Sequence, residues 1–329
     1  MTIPTSSEIT RLDAGTVKLL VAGAAGGTAA YAVRSPFAEP AREPLAVLDG
    51  IGAADIAWPA SQGRAGLLLV GAGGTRFVAE RHLVFEEIIN GRDLGGYRGA
   101  DGRHVRWGHL FRSADLSSAS PRDREELSEL GVRLICDFRT AEEAYREPDI
   151  LPRGVQAYFN LPLGQTALSM EDAIAIRSGS TEWFEKGGMT RIYLAWVENC
   201  APVWARMLSQ IDQADGGAVL CHCVAGKDRT GAFAALMLAL LGVTDDDILA
   251  DHQLSNQAIS RLRSAASMHR ARAGDKAEIV LPGLPAPADA LRAFMTAIRD
   301  RHGSVEAYLH QRGGLDPRCV QRLRDRLLE

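Results

Sequence analysis

The sequence lacks three features that would each assign it to a class of protein. Its five cysteines are an odd number without regular spacing, which argues against a disulfide scaffold and favours a reducing compartment. It contains no apolar run of about 18 residues or more, so we expect no stable insertion in a membrane. Its net charge is -4, which argues against nucleic acid as a partner because nucleic-acid-binding surfaces are basic.

The first residues also lack the basic segment and apolar stretch of a signal peptide, so a cytoplasmic location is expected. The 8 histidines are scattered along the chain, without a spacing typical of a metal site. We therefore predict neither a metal nor another cofactor. With 329 residues, 46% of them hydrophobic, the chain is long enough for two domains with a sizeable core.

The most informative stretch of the sequence is VLCHCVAGKDRTG, residues 219–231. The apolar residues 218–220 predict a short buried strand, and residues 230–241 predict a helix that is apolar on all sides. The turn between them carries a cysteine, a lysine and an arginine. Its length lets successive backbone N–H groups point at one centre, which at a helix N-terminus forms a binding site for a tetrahedral anion.

The residue types in this turn suit phosphate chemistry. Gly226 allows the tight curl, and Gly231 lets the helix begin close to the loop. A cysteine at the positive end of a helix and beside an arginine is readily present as the thiolate, which is a nucleophile. The guanidinium of Arg229 can hold two phosphate oxygens at once. The residues predicted to bind the substrate phosphate are Val224, Ala225, Gly226, Lys227, Asp228 and Arg229.

Cys-x5-Arg followed by Thr resembles the signature of the protein tyrosine phosphatase superfamily, and the form HCxAGKDRTG resembles its atypical bacterial tyrosine and lipid phosphatases. Three upstream segments resemble that family's motifs in the same order: NGRDLGGY at 90–97, LFRS at 110–113 and CDFRT at 136–140. Gly91 departs from the family, which usually has phenylalanine there. The resemblance extends from about residue 86 to the C-terminus and implies a phosphatase.

This resemblance implies roles for the residues of the loop. Cys223 attacks the phosphoester and forms a phosphocysteine, which water then hydrolyses. Arg229 binds the transferred group in the transition state, together with the backbone amides. His222 is expected to orient the loop, and Thr230 to hydrogen-bond the sulfur.

The leaving oxygen needs a proton, and two carboxylic acids are candidates to donate it. Asp137 lies at the end of a predicted strand, in the position of the family's motif aspartate, and we prefer it. Asp228 lies inside the loop and would then anchor the loop or position water. For each aspartate the alternative is a structural ion pair, with Arg139 or Arg112 as the partner.

The substrate class follows from the same resemblance. We predict activity on phosphotyrosine, with dual specificity as an option. Lys227 followed by Asp228 resembles the lipid-phosphatase form of the loop, so a phosphoinositide phosphatase is the first alternative. A phospho-binding module without turnover is the alternative from another class. The expected partner is therefore a phosphorylated protein or a phosphoinositide, and export stays open because some members of the family are secreted without a visible signal.

The fold class expected for residues 85–329 is α/β, a three-layer phosphatase domain around a central, mostly parallel sheet. In residues 1–84, six short β-rich runs between Gly, Pro and polar clusters predict a small sandwich-like all-β domain of immunoglobulin or fibronectin type. Residues 83–89 are predicted as a strand that leads into the second domain. An irregular helical stretch at about 164–191 predicts a lid over the site, with an ordinary surface helix as the alternative.

Overall fold

The computed structural model describes residues 8–21, 27–48, 52–58, 64–72, 74–163, 181–214, 216–265 and 284–329. Within these ranges the chain has a mixed α/β structure, as predicted, and contains three sheets. The strands are β1 (Glu8–Arg11), β2 (Thr16–Leu20), β3 (Thr28–Ala32), β4 (Ala46–Leu48), β5 (Ala53–Ala57), β6 (Gly66–Gly71), β7 (Gly74–Ala79), β8 (Arg92–Asp93), β9 (Leu110–Ser113), β10 (Val132–Asp137), β11 (Ala157–Asn160) and β12 (Ala218–His222). The helices are α1 (Pro121–Glu129), α2 (Ala141–Arg146), α3 (Thr181–Glu185), α4 (Gly188–Asn199), α5 (Ala201–Gln213), α6 (Asp228–Leu240), α7 (Asp245–Leu254), α8 (Ala288–His302), α9 (Val305–Gly313) and α10 (Pro317–Leu327). None of these described helices combines the length and the apolar character needed to cross a membrane.

Two small antiparallel sheets form the N-terminal part of the structure. One has the strand order β1-β2-β5, and the other has the order β4-β3-β6-β7. Alternate residues of both sheets point into one shared core, to which Val17 and Leu19 contribute from β2 and Leu67 and Leu69 from β6. The six β-rich runs predicted from the sequence correspond to β2 to β7. The immunoglobulin or fibronectin type of the sandwich stays a prediction.

The central sheet has the strand order β11-β10-β12-β9-β8. Its first four strands are parallel to one another, and β8 is antiparallel to β9. The register pairs Asp137 with His222, and His222 with Ser113, so three strands end side by side. The loops that follow β9, β10 and β12 therefore meet at the carboxyl edge of the sheet, where α/β proteins place their ligands.

Helices cover both faces of the central sheet. Leu134 and Cys221 point to the face that packs against α4, α5 and α6. Ile135 and Leu220 point to the opposite face and join the core that contains Leu127 of α1. This alternation follows from the two-residue period of a strand, and burial on both faces explains the continuous apolar character of β10 and β12.

Residues 83–89 do not form the predicted strand. The N–H groups of residues 86–88 donate instead to the carboxylate of Asp123, at 2.7, 3.0 and 3.1 Å. The same carboxylate completes a capping box with Ser120 at the start of α1. Because these N–H groups are bonded to a side chain, they are not available to a neighbouring strand.

Residues 164–180 of the predicted lid lie outside the described residues. The remainder forms α3 and the first turn of α4. Trp183 is buried and lies against Gly188 so closely that a Cβ there would come within 2.2 Å of the indole. This end of the segment is therefore packed onto the helical layer, and the lid itself stays a prediction.

Candidate active site

The turn after β12 places Cys223 at the carboxyl edge of the central sheet. β12 ends at His222 and α6 begins at Asp228, so residues 223–227 form the connecting loop. Cys223 is only 2% exposed, and Arg229 lies in the first turn of α6. This is the strand, loop and helix that the sequence predicts.

The carbonyl groups of this loop accept hydrogen bonds from two side chains on one side of it, those of Asn90 and Arg112. Nδ2 of Asn90 donates to the carbonyl oxygens of Ala225 and Gly226, at 2.9 and 3.1 Å. Nη2 of Arg112 donates to the carbonyl oxygens of Gly226 and Lys227, at 2.8 and 3.1 Å. Because the C=O and N–H of a trans peptide point in opposite directions, the following N–H groups point away from these two side chains. The backbone thus has the polarity of an anion-binding loop.

Gly226 is the tightest point of the loop. Its φ of 61° lies in the left-handed region, which glycine adopts without steric cost. A Cβ at this position would come within 2.1 Å of the carbonyl oxygen of Ser113. Both the conformation and the space therefore require glycine, as the sequence predicts for the curl.

A buried network behind the loop holds Asn90 and Arg112. Asp251 of α7 accepts hydrogen bonds from Nη1 of Arg112 at 2.6 Å and from Nε of Arg92 at 3.0 Å. Nη1 of Arg92 donates to Oδ1 of Asn90 at 2.7 Å. Burial alone would raise the pKa of Asp251, but the charges of Arg92 and Arg112 hold it far below its ordinary value. No motif surrounds Asp251, so sequence reasoning does not find it.

Burial and the neighbouring charge of Arg92 lower the pKa of Arg112 to about 10. Arg112 is therefore still charged at neutral pH. Its hydrogen bonds to the loop carbonyls are charge-assisted and correspondingly strong.

Arg229 is paired with a carboxylate that the sequence analysis does not name. Its Nη1 and Nη2 donate to the two carboxylate oxygens of Glu143, at 2.6 and 2.9 Å. Among the described residues, no acceptor is bonded to Nε of Arg229. Burial alone would raise the pKa of Glu143, but its hydrogen bonds with Arg229 lower it.

Glu143 could be found in the sequence only as a capping residue. Thr140 and Glu143 form a capping box at the start of α2, and T-x-x-E is a known signature of a helix start. That signature predicts the helix, but not the contact with Arg229, which lies 86 residues further along the chain.

Asp137 occupies a buried ion-pair cluster instead of an open site. Its side chain is 0% exposed, and its oxygens accept hydrogen bonds from three residues. These are Arg139, through its backbone N–H at 2.8 Å and its guanidinium at 3.1 Å, Tyr158 at 2.6 Å and Asn160 at 3.1 Å. Burial alone would raise the pKa of Asp137, but His222 and Arg139 lower it below its ordinary value. A general acid needs a proton to give and access to the leaving group. The geometry therefore argues against Asp137 as the acid and favours the structural ion pair with Arg139.

His222 is buried between two carboxylates. Its Nε2 lies 3.2 Å from Asp149, and its Nδ1 lies 3.7 Å from Asp137. Burial alone would lower the pKa of His222, but the two carboxylates raise it above its ordinary value.

His222, Asp137 and Asp149 offer ligand atoms within 4.8 Å of one another, a spacing that a metal could use. The guanidinium of Arg139 already bonds both carboxylates, at 3.1 and 2.6 Å, and supplies the positive charge there.

Asp228, the second predicted acid, begins α6. Its side chain is 16% exposed, and Tyr193 donates a hydrogen bond to its Oδ1 at 3.3 Å. Nζ of Lys227 lies 3.6 Å from Oδ2 of Asp228 and donates to the carbonyl oxygen of Leu284 at 2.6 Å. Lys227 and Thr230 are both buried. Of the two predicted acids, Asp228 is the one that solvent reaches.

The sequence of this chain is similar to those of known proteins. Residues 83–329 match a sequence model described as the tyrosine phosphatase family. The chain is 37% identical over 235 residues to a protein of Cupriavidus necator whose name places it among the tyrosine-protein phosphatases, covering 70% of this chain and 84% of that protein. It is 30% identical over 224 residues to a tyrosine-protein phosphatase of Nostoc commune, covering 66% and 74%. It is 29% identical over 261 residues to the triple specificity protein phosphatase PtpB of Mycobacterium tuberculosis, covering 68% and 92%.

Replacing Glu143 with glutamine is expected to lower kcat/KM for an aryl phosphate by about tenfold to a hundredfold. The substitution keeps the size of the side chain but removes the charge that holds Arg229. Steady-state kinetics of Glu143→Gln measure the loss. The matched control is Glu142→Gln on the same helix, since Glu142 is exposed and pairs with Arg146. Equal activity of the two variants would contradict the role of Glu143.

The ion pairs of His222 are expected to make stability depend on pH. Because its folded pKa is raised, protonated His222 stabilises the folded state fully below about pH 6.5, and this contribution is lost as pH rises through the folded pKa. Urea unfolding from about pH 6 to 9 should show a steeper fall in the free energy of unfolding for the wild type than for His222→Asn. Parallel curves for the two proteins would rule this contribution out.

Proposed function

The chain belongs to the tyrosine phosphatase family, and on that premise we propose that it hydrolyses phosphotyrosine through a phosphocysteine intermediate on Cys223. The observation that carries the proposal is the polarity of the loop that follows Cys223. Its carbonyls are bonded from behind by Asn90 and Arg112, which turns its N–H groups to the other side at the start of α6. Such a loop suits a phosphate ester held over the sulfur.

In the first step, the thiolate of Cys223 attacks phosphorus in line with the leaving oxygen. The S–P bond forms, the P–O bond to the tyrosine breaks, and the leaving oxygen takes a proton from Asp228. The free Nε edge of Arg229 and the loop N–H groups stabilise the negative charge of the transferred phosphoryl group. Glu143 is a positioning residue, because it fixes the guanidinium from the opposite edge.

In the second step, water attacks the phosphocysteine. The carboxylate of Asp228, now deprotonated, accepts a proton from the water, and the S–P bond breaks to return the thiolate and inorganic phosphate. Thr230, one residue after Arg229 on α6, donates a hydrogen bond to the departing sulfur in this mechanism. The reaction needs neither a metal nor another cofactor.

We assign the acid to Asp228 in preference to Asp137. Asp228 is partly exposed and has Tyr193 as a hydrogen-bond donor, which fixes its orientation. Asp137 is fully buried, is bonded to three donors and has a lowered pKa. Its proposed role is to hold Arg139 and His222 beneath the loop.

Protein substrates are favoured over phosphoinositides. Nζ of Lys227, the group expected to meet a second phosphate, is buried and bonded to the carbonyl of Leu284. The name of the Mycobacterium tuberculosis relative records triple specificity, which supports activity on more than one class of substrate. Phosphoinositides remain the second candidate, through the same Lys227–Asp228 pair.

The test is hydrolysis of a phosphotyrosine peptide, a phosphoserine peptide and a phosphoinositide in the presence of a metal chelator. The wild type is expected to prefer phosphotyrosine, and Cys223→Ser is expected to lose at least about 10⁴-fold in kcat because the nucleophile is gone. Binding of inorganic phosphate by Cys223→Ser checks that the loop is intact. Activity of Cys223→Ser would overturn the mechanism. If the wild type binds phosphate esters without hydrolysing them, the protein is a phospho-binding module instead of an enzyme.

The two aspartates form a matched pair of variants for the general acid. Asp228→Asn is expected to slow a phosphate ester with a basic leaving group by about 10²- to 10⁴-fold, and one with a strongly acidic phenol far less. Asp137→Asn should lower the free energy of unfolding without this dependence on the leaving group, because it breaks a buried ion pair. If the loss of activity depends on the leaving group in Asp137→Asn and not in Asp228→Asn, Asp137 is the general acid.

A further inference from the structure

One residue from the N-terminal sheets reaches into the core of the phosphatase domain. Arg64 lies just before β6, outside the residues 83–329 that match the family. Its Nη2 donates to Oδ2 of Asp93 at 2.5 Å, and its Nε donates to the carbonyl oxygen of Glu80 at 2.6 Å. The two side chains of the ion pair are 2% and 0% exposed. This contact is thus a fully buried ion pair between the two parts of the chain.

Asp93 organises the turns next to β8. Its Oδ1 accepts a hydrogen bond from the N–H of Gly95 at 2.8 Å, and its Oδ2 accepts one from the N–H of Gly108 at 2.7 Å. Its backbone is held as well, since Nη1 of Arg81 donates to its carbonyl oxygen at 2.9 Å. Without Arg64, this carboxylate would keep two neutral donors but lose its only buried countercharge among the described residues.

Arg92, the neighbour of Asp93 on β8, is connected through hydrogen bonds to the loop of residues 223–227, which we call the phosphate loop. Successive residues of a strand point to opposite sides, so Asp93 points to Arg64 while Arg92 points to Asp251 and Asn90. Asn90 in turn bonds the carbonyl oxygens of Ala225 and Gly226. Only one strand of two residues separates the Arg64 ion pair from the side chains that hold the loop.

We propose that Arg64 is a positioning residue of the active site, and that the N-terminal sheets complete the phosphatase domain by supplying it. The inference rests on the proposed function, since the loop it positions is the proposed catalytic loop. Removing one partner of a buried ion pair leaves an uncompensated charge, which the protein relieves by moving or protonating the remaining group. Any such movement of Asp93 carries β8 and Arg92 with it.

The experiment compares steady-state kinetics of Arg64→Met, Arg64→Lys and the wild type on an aryl phosphate, well below the melting temperature of each protein. Arg64→Met is expected to lower kcat about tenfold with KM changed by less than about twofold, and Arg64→Lys is expected to restore part of kcat because it keeps the charge. A kcat of Arg64→Met within about twofold of the wild type would overturn the proposal.

The matched control is Arg11→Met, which removes another arginine of the same sheets. Arg11 pairs with Glu80 at 2.7 Å and not with Asp93. Arg11→Met is expected to keep the wild-type kcat, and a loss of kcat equal to that of Arg64→Met would show that Arg64 has only a general stabilising role.

If Arg64→Met does not fold, Arg64→Met/Asp93→Asn removes the buried charge together with its partner. That double variant is expected to fold with lowered kcat, because residue 93 then lacks both the bond from Arg64 and one of the two oxygens that accept from Gly95 and Gly108. A wild-type kcat in it would overturn the proposal.

Cys223→Ser separates failure of this proposal from failure of the proposed function. If Cys223→Ser retains activity, the catalytic loop has been misidentified and the proposed function falls. If Cys223→Ser is inactive while Arg64→Met is fully active, the proposed function stands and only the role of Arg64 falls.

Discussion

The hydrogen bonds to the back of the phosphate loop are the constraint on which the rest of the site depends. A loop can direct several N–H groups at one anion only if the carbonyls of the same peptides are satisfied on the opposite side. Asn90 and Arg112 meet this condition, and Gly226 adopts a left-handed conformation and leaves out the Cβ that would clash with Ser113. In the proposed mechanism, the anion site is thus built before any ligand arrives, which avoids the cost of ordering it during the reaction.

Positioning charged groups so close together requires a local balance of charge. Arg92 and Arg112 would repel each other in a buried space, and Asp251 between them compensates this repulsion. The charge of Arg229 is balanced by Glu143, which in the proposed mechanism leaves the other edge of the guanidinium for the substrate. These cations at this edge of the sheet are therefore all held by acids, Arg92 and Arg112 by the shared Asp251 and Arg229 by Glu143.

Local patterns in the sequence predict the parts of the site that are contiguous in the chain. Residues 218–231 encode a strand, a tight turn and a helix, and their spacing alone places Cys223 beside Arg229. Glu143, Asp251 and Arg64 could not be predicted, because each meets its partner across a distance in sequence that no periodicity reports.

The surroundings of Asp137 show the limit of strand-end reasoning. A strand-end aspartate can face the ligand, but it can also turn towards the opposite face of the sheet. Here the side chain lies among Arg139, Tyr158 and His222, none of which the position alone could reveal. Residues 83–89 do not form the predicted strand, and here too a side chain distant in sequence is the cause. The carboxylate of Asp123 accepts the hydrogen bonds that a neighbouring strand would otherwise accept.

The most direct test of the central claim is to trap the covalent intermediate. An activated aryl phosphate should be mixed with the wild-type enzyme, quenched with denaturant within the first turnover, and the digest examined by mass spectrometry. The mechanism predicts a phosphoryl group on the peptide that contains Cys223, attached through sulfur, together with a burst of phenol that matches the enzyme concentration. Phosphate released in the first turnover with no phosphoryl group on Cys223, or with one on another residue, would contradict it.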